Sequence, residues 1–147
     1  MCSQQPILLK DKTIDEILMY TLILCLLLAC LLPYFSKIPV AIAMGKQSGG
    51  YDNHHPRTQQ MALTGFGARA NAAHQNSFES LIIFSAAILT AIATQHTTTN
   101  IQALAIFYLI SRCVYHIMYL MNLAGLRSLV WSFSLLSSLT IIWLCLP

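Results

Sequence analysis

The sequence predicts an all-α, transmembrane four-helix bundle, and three observations lead there. Of 147 residues, 56% are hydrophobic and only 9% are charged, where an average soluble domain carries about 25% charged residues. Apolar runs long enough to cross a hydrocarbon core of about 30 Å recur along the chain, each needing roughly 20 residues. No segment alternates apolar and polar residues as a membrane strand does, and lipid offers the backbone no hydrogen-bond partners, so helices remain. A soluble globule and a disordered chain are thereby excluded, and residues 1–147 form one membrane domain. The net charge of +3 comes from eight Lys/Arg against five Asp/Glu, with no basic block dense enough to track a nucleic acid.

Taken in order, the first span covers about residues 14–36. Lys10, Asp11, Lys12, Asp15 and Glu16 precede or open it, Pro33 and Lys37 mark its end, and no charge lies between Glu16 and Lys37. A long connection follows, rich in turn formers at Gly45, Gly49, Gly50, Asp52, Asn53 and Pro56. The second helix is expected over 61–94, polar from Arg69 to Glu79 and apolar from Leu81 to Ala93; its apolar half alone is too short to span. The third runs over 101–123 with Arg112 near its middle, and the fourth over 128–146. Tight connections at Gln95–Asn100 and Leu123–Arg127 make spans two, three and four antiparallel neighbours. Lys37, Lys46, Arg57 and Arg127 fall on one side of the membrane, and Lys10 and Lys12, diluted by acids, on the other. The positive-inside rule then places the first and third loops in the cytoplasm and both termini in the periplasm or lumen.

Ionisable groups inside a span are costly unless paired or hydrated, so Arg69, Glu79 and Arg112 stand as candidates for function. On the second helix Arg69, Asn76 and Glu79 fall within roughly 80° of one another, while Asn71 and His74 point elsewhere. On the third, Tyr108, Arg112, Tyr115, His116 and Tyr119 form a stripe about 100° wide. An antiparallel pairing sets Glu79 near Arg112, Asn76 near Tyr115 and Arg69 toward Arg127. A buried Glu79–Arg112 pair holding helices together is one reading. It does not account for the whole set, because three arginines face one carboxylate. A low-dielectric pocket with surplus arginine calls for an anionic ligand: a lipid head group, a fatty-acid carboxylate or a soluble carboxylate-bearing cosubstrate. With Glu79 and Asn76 to hold an ammonium or amide, the mixture fits a zwitterionic peptide best.

The segment Arg69-Ala-Asn71-Ala-Ala-His74-Gln-Asn76-Ser-Phe-Glu79 through Phe84 resembles the second-helix signature of the MAPEG family, the membrane-associated proteins in eicosanoid and glutathione metabolism. Arg112-x-x-Tyr115-His116-x-x-Tyr119 and Leu126-Arg127-Ser128 resemble its third helix and the basic residue after it. Gly50-Tyr51-Asp52-Asn53-His54-His55-Pro56-Arg57 is similar to the first loop of bacterial members. The resemblance runs from about Gly49 to Trp131. It implies a homotrimer in a bacterial inner membrane, with glutathione as cosubstrate bound between subunits near the cytoplasmic face. Carried over by position, Arg69, Asn76, Glu79, Arg112, Tyr115 and Tyr119 would contact glutathione. Arg127 would stabilise its thiolate, with Tyr119 as supporting hydroxyl. The implied activity is that of a glutathione transferase or peroxidase acting on hydrophobic electrophiles or lipid hydroperoxides. Two positions depart from the family: Ala72 where a second arginine is usual, with Gln75 or Lys46 as substitutes, and Ile82 where a proline is usual, which should straighten the helix.

Other readings carry less. A non-catalytic lipid- or fatty-acid-binding scaffold on the same fold is the main alternative, because a fold does not establish chemistry. A proton-coupled exporter needs an acid on a transport path, which a Glu79 outnumbered by arginine does not supply. Leu27-Leu28-Ala29-Cys30 mimics a lipoprotein cleavage site, but three further spans argue against a cleaved leader. The five cysteines (Cys2, Cys25, Cys30, Cys113, Cys145) include no C-x-x-C pair and read as buried small hydrophobes. His54, His55 and Asp52 are too close in sequence to converge readily on a metal ion. Ser132, Ser134, Ser137 and Ser138 read as close-packing positions on the last helix.

Overall fold

The computed structural model describes the backbone of residues 5–147 and the side chains of residues 14–147. Cys2 and the side chains of Lys10, Asp11 and Lys12 therefore lie outside the described residues. Five helices follow in order: α1 (Gln5–Gly45), α2 (Pro56–Met61), α3 (Gly65–Ala93), α4 (Thr99–Leu120) and α5 (Ala124–Leu144). Four of them, α1 from Ile14 onward, α3, α4 and α5, are long and apolar enough to cross a membrane.

Helix α1 corrects the expected end of the first span. It passes through Pro33 and Pro39 and continues to Gly45. Each proline removes one N–H from the ladder, yet proline is tolerated inside membrane helices. The Pro33 carbonyl accepts from Ser36 Oγ at 2.8 Å and from His74 Nδ1 at 3.0 Å, the second of which ties α1 to α3 at this turn. The second helix is also corrected at its start: Met61 closes the short α2, and the chain breaks at Ala62–Thr64 before α3. Gly65 makes that break possible with a left-handed φ of 54°. The third and fourth spans begin and end two to four residues earlier than expected, at Thr99–Leu120 and Ala124–Leu144. Thr98 Oγ1 accepts from the Ile101 N–H at 3.4 Å and so starts α4 ahead of its apolar stripe.

Two reversals set the antiparallel order. Gln95 and Asn122 take positive φ of 57° and 62° just past α3 and α4. At each, an N–H reaches back five residues: His96 to the Ala91 carbonyl and Leu123 to that of Met118, the helix-ending pattern more often built on glycine. The loop between α1 and α2 is tied by Gln59, which accepts from the Asp52 N–H and donates to the Gly50 carbonyl. Asp52 Oδ1 accepts from the His54 and His55 N–H groups at 2.7 and 3.0 Å. These bonds hold the Asp52 carboxyl below the ordinary carboxylate range.

The mid-membrane core joins Leu22, Cys25 and Ala29 of α1, Phe84, Ala87, Ile88 and Ala91 of α3, Ala105 and Tyr108 of α4, and Ile141 of α5. Phe84 stacks on Tyr108 with centroids 3.8 Å apart. Alanines and the buried Ser134, Ser137 and Ser138 let backbones approach closely, as lipid-embedded packing requires. Cys25 and Cys145 are buried, Cys30 is half-buried, and Cys113 is exposed on the outer face of α4, against the expectation for that residue. A second cluster of Val40, Met44, Leu63 and Ala70 closes the end where α1 and α4 finish and α3 and α5 begin. Gly67 sits there because a Cβ would come within 3.1 Å of Ala43. Only 22–28% of each spanning window is buried inside the bundle, so most of the apolar surface of these helices lies outside its core.

Candidate functional site

The polar residues of α4 form a ladder along one face because positions 112, 115 and 119 recur at helical spacing. The Arg112 guanidinium lies 4.2 Å from the centre of the Tyr115 ring. Tyr115 meets Tyr119 edge to face at 5.5 Å, and the Arg127 guanidinium from α5 covers the Tyr119 ring at 4.1 Å. Cation, phenol, phenol and cation thus follow one another from mid-bundle to the loop end. Cation–π contact of this kind partly offsets the cost of desolvating each arginine.

Asn76 of α3 joins this ladder to the acid Glu79. Arg112 Nη2 donates to Asn76 Oδ1 at 3.0 Å, and Asn76 Nδ2 donates to Glu79 Oε2 at 2.8 Å. The direct Glu79–Arg112 ion pair considered from the sequence is not formed; among the described residues the one ion pair is His55 with Asp52. Arg112 is fully buried, and its Nε and Nη1 have no hydrogen-bond partner. Arg69 lies two turns before Asn76 on the same face, half-buried, with an unpartnered Nε. It does not line the clefts beside Asn76.

Those clefts are two. One, of about 210 Å³, is lined by Asn76, Tyr115, Tyr119, Arg127, Ser128 and Trp131. The other, of about 150 Å³, shares Asn76 and Trp131, adds Glu79 and Ser80, and continues between α3 and α5. Of the residues singled out from the sequence, Asn76, Glu79, Tyr115, Tyr119 and Arg127 line these clefts, Arg112 lies buried behind Asn76 and Tyr115 without lining either, and Arg69 stands apart. The N-terminal turn of α5, whose first N–H groups have no partner within the helix, begins three residues before Arg127 and adds its positive dipole end.

Sequence reasoning missed Trp131 and Ser128. Their signal was position: Trp131 is one helical turn past Arg127, hence on the same face. It also missed a polar chain behind the site. His116 Nδ1 donates to the Arg112 carbonyl at 2.7 Å, and His116 Nε2 lies 2.8 Å from Ser77 Oγ. Ser77 Oγ lies 3.4 Å from Ser36 Oγ, which is 3.2 Å from His74 Nδ1. Three helices are thereby tied on the far side of the turns that carry Asn76 and Arg112. Beyond His74 a cleft of about 510 Å³ opens between α1, α2 and α3, lined by Lys37, Arg57, Gln75 and Phe78 among others.

Comparison with known proteins follows from this geometry. The family model described as MAPEG family matches residues 21–147. Neither the curated proteins nor the solved structures give a match.

Proposed function

The chain belongs to the MAPEG family, and from that premise we propose that it is an integral membrane glutathione transferase with peroxidase capacity. The family includes glutathione transferases and peroxidases. The observation that carries the reading is the uncompensated positive charge at and behind the cleft. Arg127, which lines it, and Arg112, fully buried behind Asn76 and Tyr115, have no carboxylate within salt-bridge distance among the described residues, and Arg112 keeps two buried nitrogens unpartnered. A buried cation without an anion is costly, and an anionic cosubstrate removes that cost.

In this reading the carboxylates of glutathione meet arginine, its ammonium meets Glu79, and its thiol lies at Arg127 and the N-terminus of α5. A free thiol titrates near 8.5; an arginine that lowers this by about two units contributes roughly 2.7 kcal/mol of preference for the thiolate. The thiolate sulfur then forms a bond to an electrophilic carbon as the leaving group departs with its electron pair. With a lipid hydroperoxide, sulfur bonds to the terminal oxygen, the O–O bond breaks, and the alkoxide takes a proton to become the alcohol. A second glutathione converts the sulfenic acid to disulfide and water. The hydrophobic partner arrives laterally from the bilayer.

The trimer belongs to the same proposal. Two cationic clefts lie on different sides of α3, one at Arg127 and one at Lys37 and Arg57. Unlike faces that meet head to tail form a ring when the rotation between neighbours closes, and a three-fold ring would place a neighbour's Lys37 and Arg57 against the glutathione site and offset the missing arginine at Ala72. The surplus of positive charge at this end of the bundle supports a site facing the cytoplasm. The test is ultraviolet thiolate difference absorbance on mixing purified protein with glutathione. A signal in the wild type that is lost in Arg127→Ala supports the reading, and an unchanged signal in that variant removes Arg127 from the mechanism. Binding without conjugation or peroxidase turnover would select the lipid-binding scaffold.

A further inference from the structure

His116 lines neither cleft beside Asn76, yet it is bonded to the turn of α4 that carries Arg112. Its Nδ1 faces the Arg112 carbonyl at 2.7 Å. A carbonyl only accepts, so the hydrogen of the neutral ring sits on Nδ1. Nε2 is then an acceptor, and opposite it at 2.8 Å lies Ser77 Oγ. The Ser77 hydroxyl has one hydrogen and a second acceptor competing for it, the Ala73 carbonyl at 2.9 Å. Ser36 Oγ comes within 3.4 Å of Ser77 but donates its own hydrogen to the Pro33 carbonyl at 2.8 Å.

The same heavy atoms accommodate two protonation states. With His116 neutral, Ser77 turns its hydrogen to Nε2, and the Ala73 carbonyl keeps only its helical partner. With His116 charged, Nε2–H donates to Ser77 Oγ, with the Ala73 carbonyl also in reach, and Ser77 turns its hydrogen to Ala73. Every donor of the imidazolium then has an acceptor, the condition for a cation to persist away from water. One hydroxyl rotation separates the two states. Facing the ring are Arg112 and Tyr115 of its own helix and His74 of α3, none of which carries a negative charge. Further out, Lys37 of α1 acts on His74, while Glu79 of α3 and Arg127 of α5 act on Tyr115. An anion bound at the arginines would supply the missing counter-charge.

We propose that His116 is a proton-binding switch behind the site, and that its protonation strengthens the hold of the arginine cleft on a carboxylate-bearing ligand. His116 touches no ligand in this account; it is a positioning residue that acts through Arg112 and Tyr115. Binding and protonation are then reciprocal, so the ligand draws a proton onto the ring as the proton raises affinity for the ligand. The coupling to a ligand rests on the glutathione reading; the two-state proton site rests on His116, Ser77 and Ala73 alone.

The test uses the full chain in detergent and S-methylglutathione, whose thioether cannot ionise and whose carboxylates stay charged between about pH 8 and 5. Titration calorimetry should show affinity rising about four- to fifteenfold over that range, the effect of one charge across about 10 Å at an effective dielectric constant of about 20–40. Buffers of different ionisation enthalpy should reveal net proton uptake on binding. His116→Gln keeps a donor and an acceptor but cannot titrate. It should give a flat profile without uptake, near the affinity that the wild type shows at about pH 8. His74→Gln, at the far end of the chain beyond Ser36 and lining the separate cleft at Lys37, should keep the rise. A rise retained in His116→Gln, or lost in His74→Gln alone, would overturn the proposal. Nitrogen-15 spectra of the unliganded wild type give a reading that needs neither ligand nor variant. His116 should carry its hydrogen on Nδ1 at about pH 8 and gain a second at Nε2 as pH falls to about 5; a ring that stays neutral throughout, or that carries its one hydrogen on Nε2, also overturns it. If the ring titrates while S-methylglutathione binds at no pH, the proton site stands and the glutathione reading falls.

Discussion

Replacing Arg112 with methionine separates a structural arginine from one reserved for a ligand. The side chain is fully buried. It donates to Asn76 Oδ1 at 3.0 Å, with a weaker contact to the Asn76 carbonyl at 3.4 Å, and lies against the Tyr115 ring. The charged hydrogen bond is worth about 2 kcal/mol and the buried cation–π contact about 2 more. Against these stand Nε and Nη1, buried without partners, at about 1–3 kcal/mol each. The two sides nearly cancel, so Arg112→Met, which fills similar volume with apolar atoms, leaves unliganded stability within about 1 kcal/mol of wild type. Glutathione affinity behaves differently. Loss of a charge-assisted contact to a carboxylate costs about 2–3 kcal/mol, or roughly 30- to 150-fold in Kd. Thermal unfolding in detergent, with and without glutathione, reads both quantities, and titration calorimetry gives the Kd directly. A loss of 3 kcal/mol or more, in the range of about 3–5 kcal/mol for breaking a buried ion pair, together with unchanged glutathione affinity, would refute the reasoning and make Arg112 a structural clasp.

Other outcomes follow from the same geometry. Arg127→Ala returns the bound thiol toward its free value, so the pH–rate profile, level above about 6.5 in the wild type, climbs until about 8.5 in the variant; coincident profiles would clear Arg127 of a role. Ser77→Ala takes the hydroxyl from between His116, Ser36 and the Ala73 carbonyl and lowers stability by about 1–3 kcal/mol, read by thermal unfolding against Ser128→Ala, whose exposed hydroxyl bonds only its own helix. Asp52 titrates below the ordinary range because two backbone N–H groups favour its charged form. Its ordering of the first loop is therefore complete above the unfolded carboxyl value near 3.9 and fades only as pH falls through the lower folded value. Limited proteolysis at neutral pH should cut that loop faster in Asp52→Ala than in wild type, and Asp52→Asn, whose amide oxygen can still accept, should restore most of the protection.

The legible part of the site was the part governed by helical period. Arg112, Tyr115 and Tyr119 are related by three, four and seven residues, so their common face follows from 3.6 residues per turn without any tertiary contact. The same holds for Asn76 and Glu79. Less legible was which partner each would take. Spacing set Glu79 level with Arg112, yet Asn76 stands between them, because that choice depends on interhelical distance and rotamer. His74 pointed away from the polar face and His116 lay on it, with no link between them legible in the spacing. Only packing of α1 and α4 on α3 shows them in one hydrogen-bonded chain.

Composition and periodicity by themselves determined four spanning helices, their antiparallel order and the polar faces of α3 and α4. These properties depend on local transfer free energy and backbone geometry, which act residue by residue. The helix boundaries at Pro33, Met61 and Thr98 needed the three-dimensional structure, because whether a helix continues past a proline or breaks depends on how its neighbours pack around it. At Pro33 the turn is tied to α3 through His74. The split of the polar region into a cation-lined cleft and a cation-free crevice was decided at the tertiary level too. Charge can be counted along a chain, but the volume on either side of Trp131 and the direction in which Ser134 and Ser138 spend their hydrogens exist only once α3 and α5 are packed together.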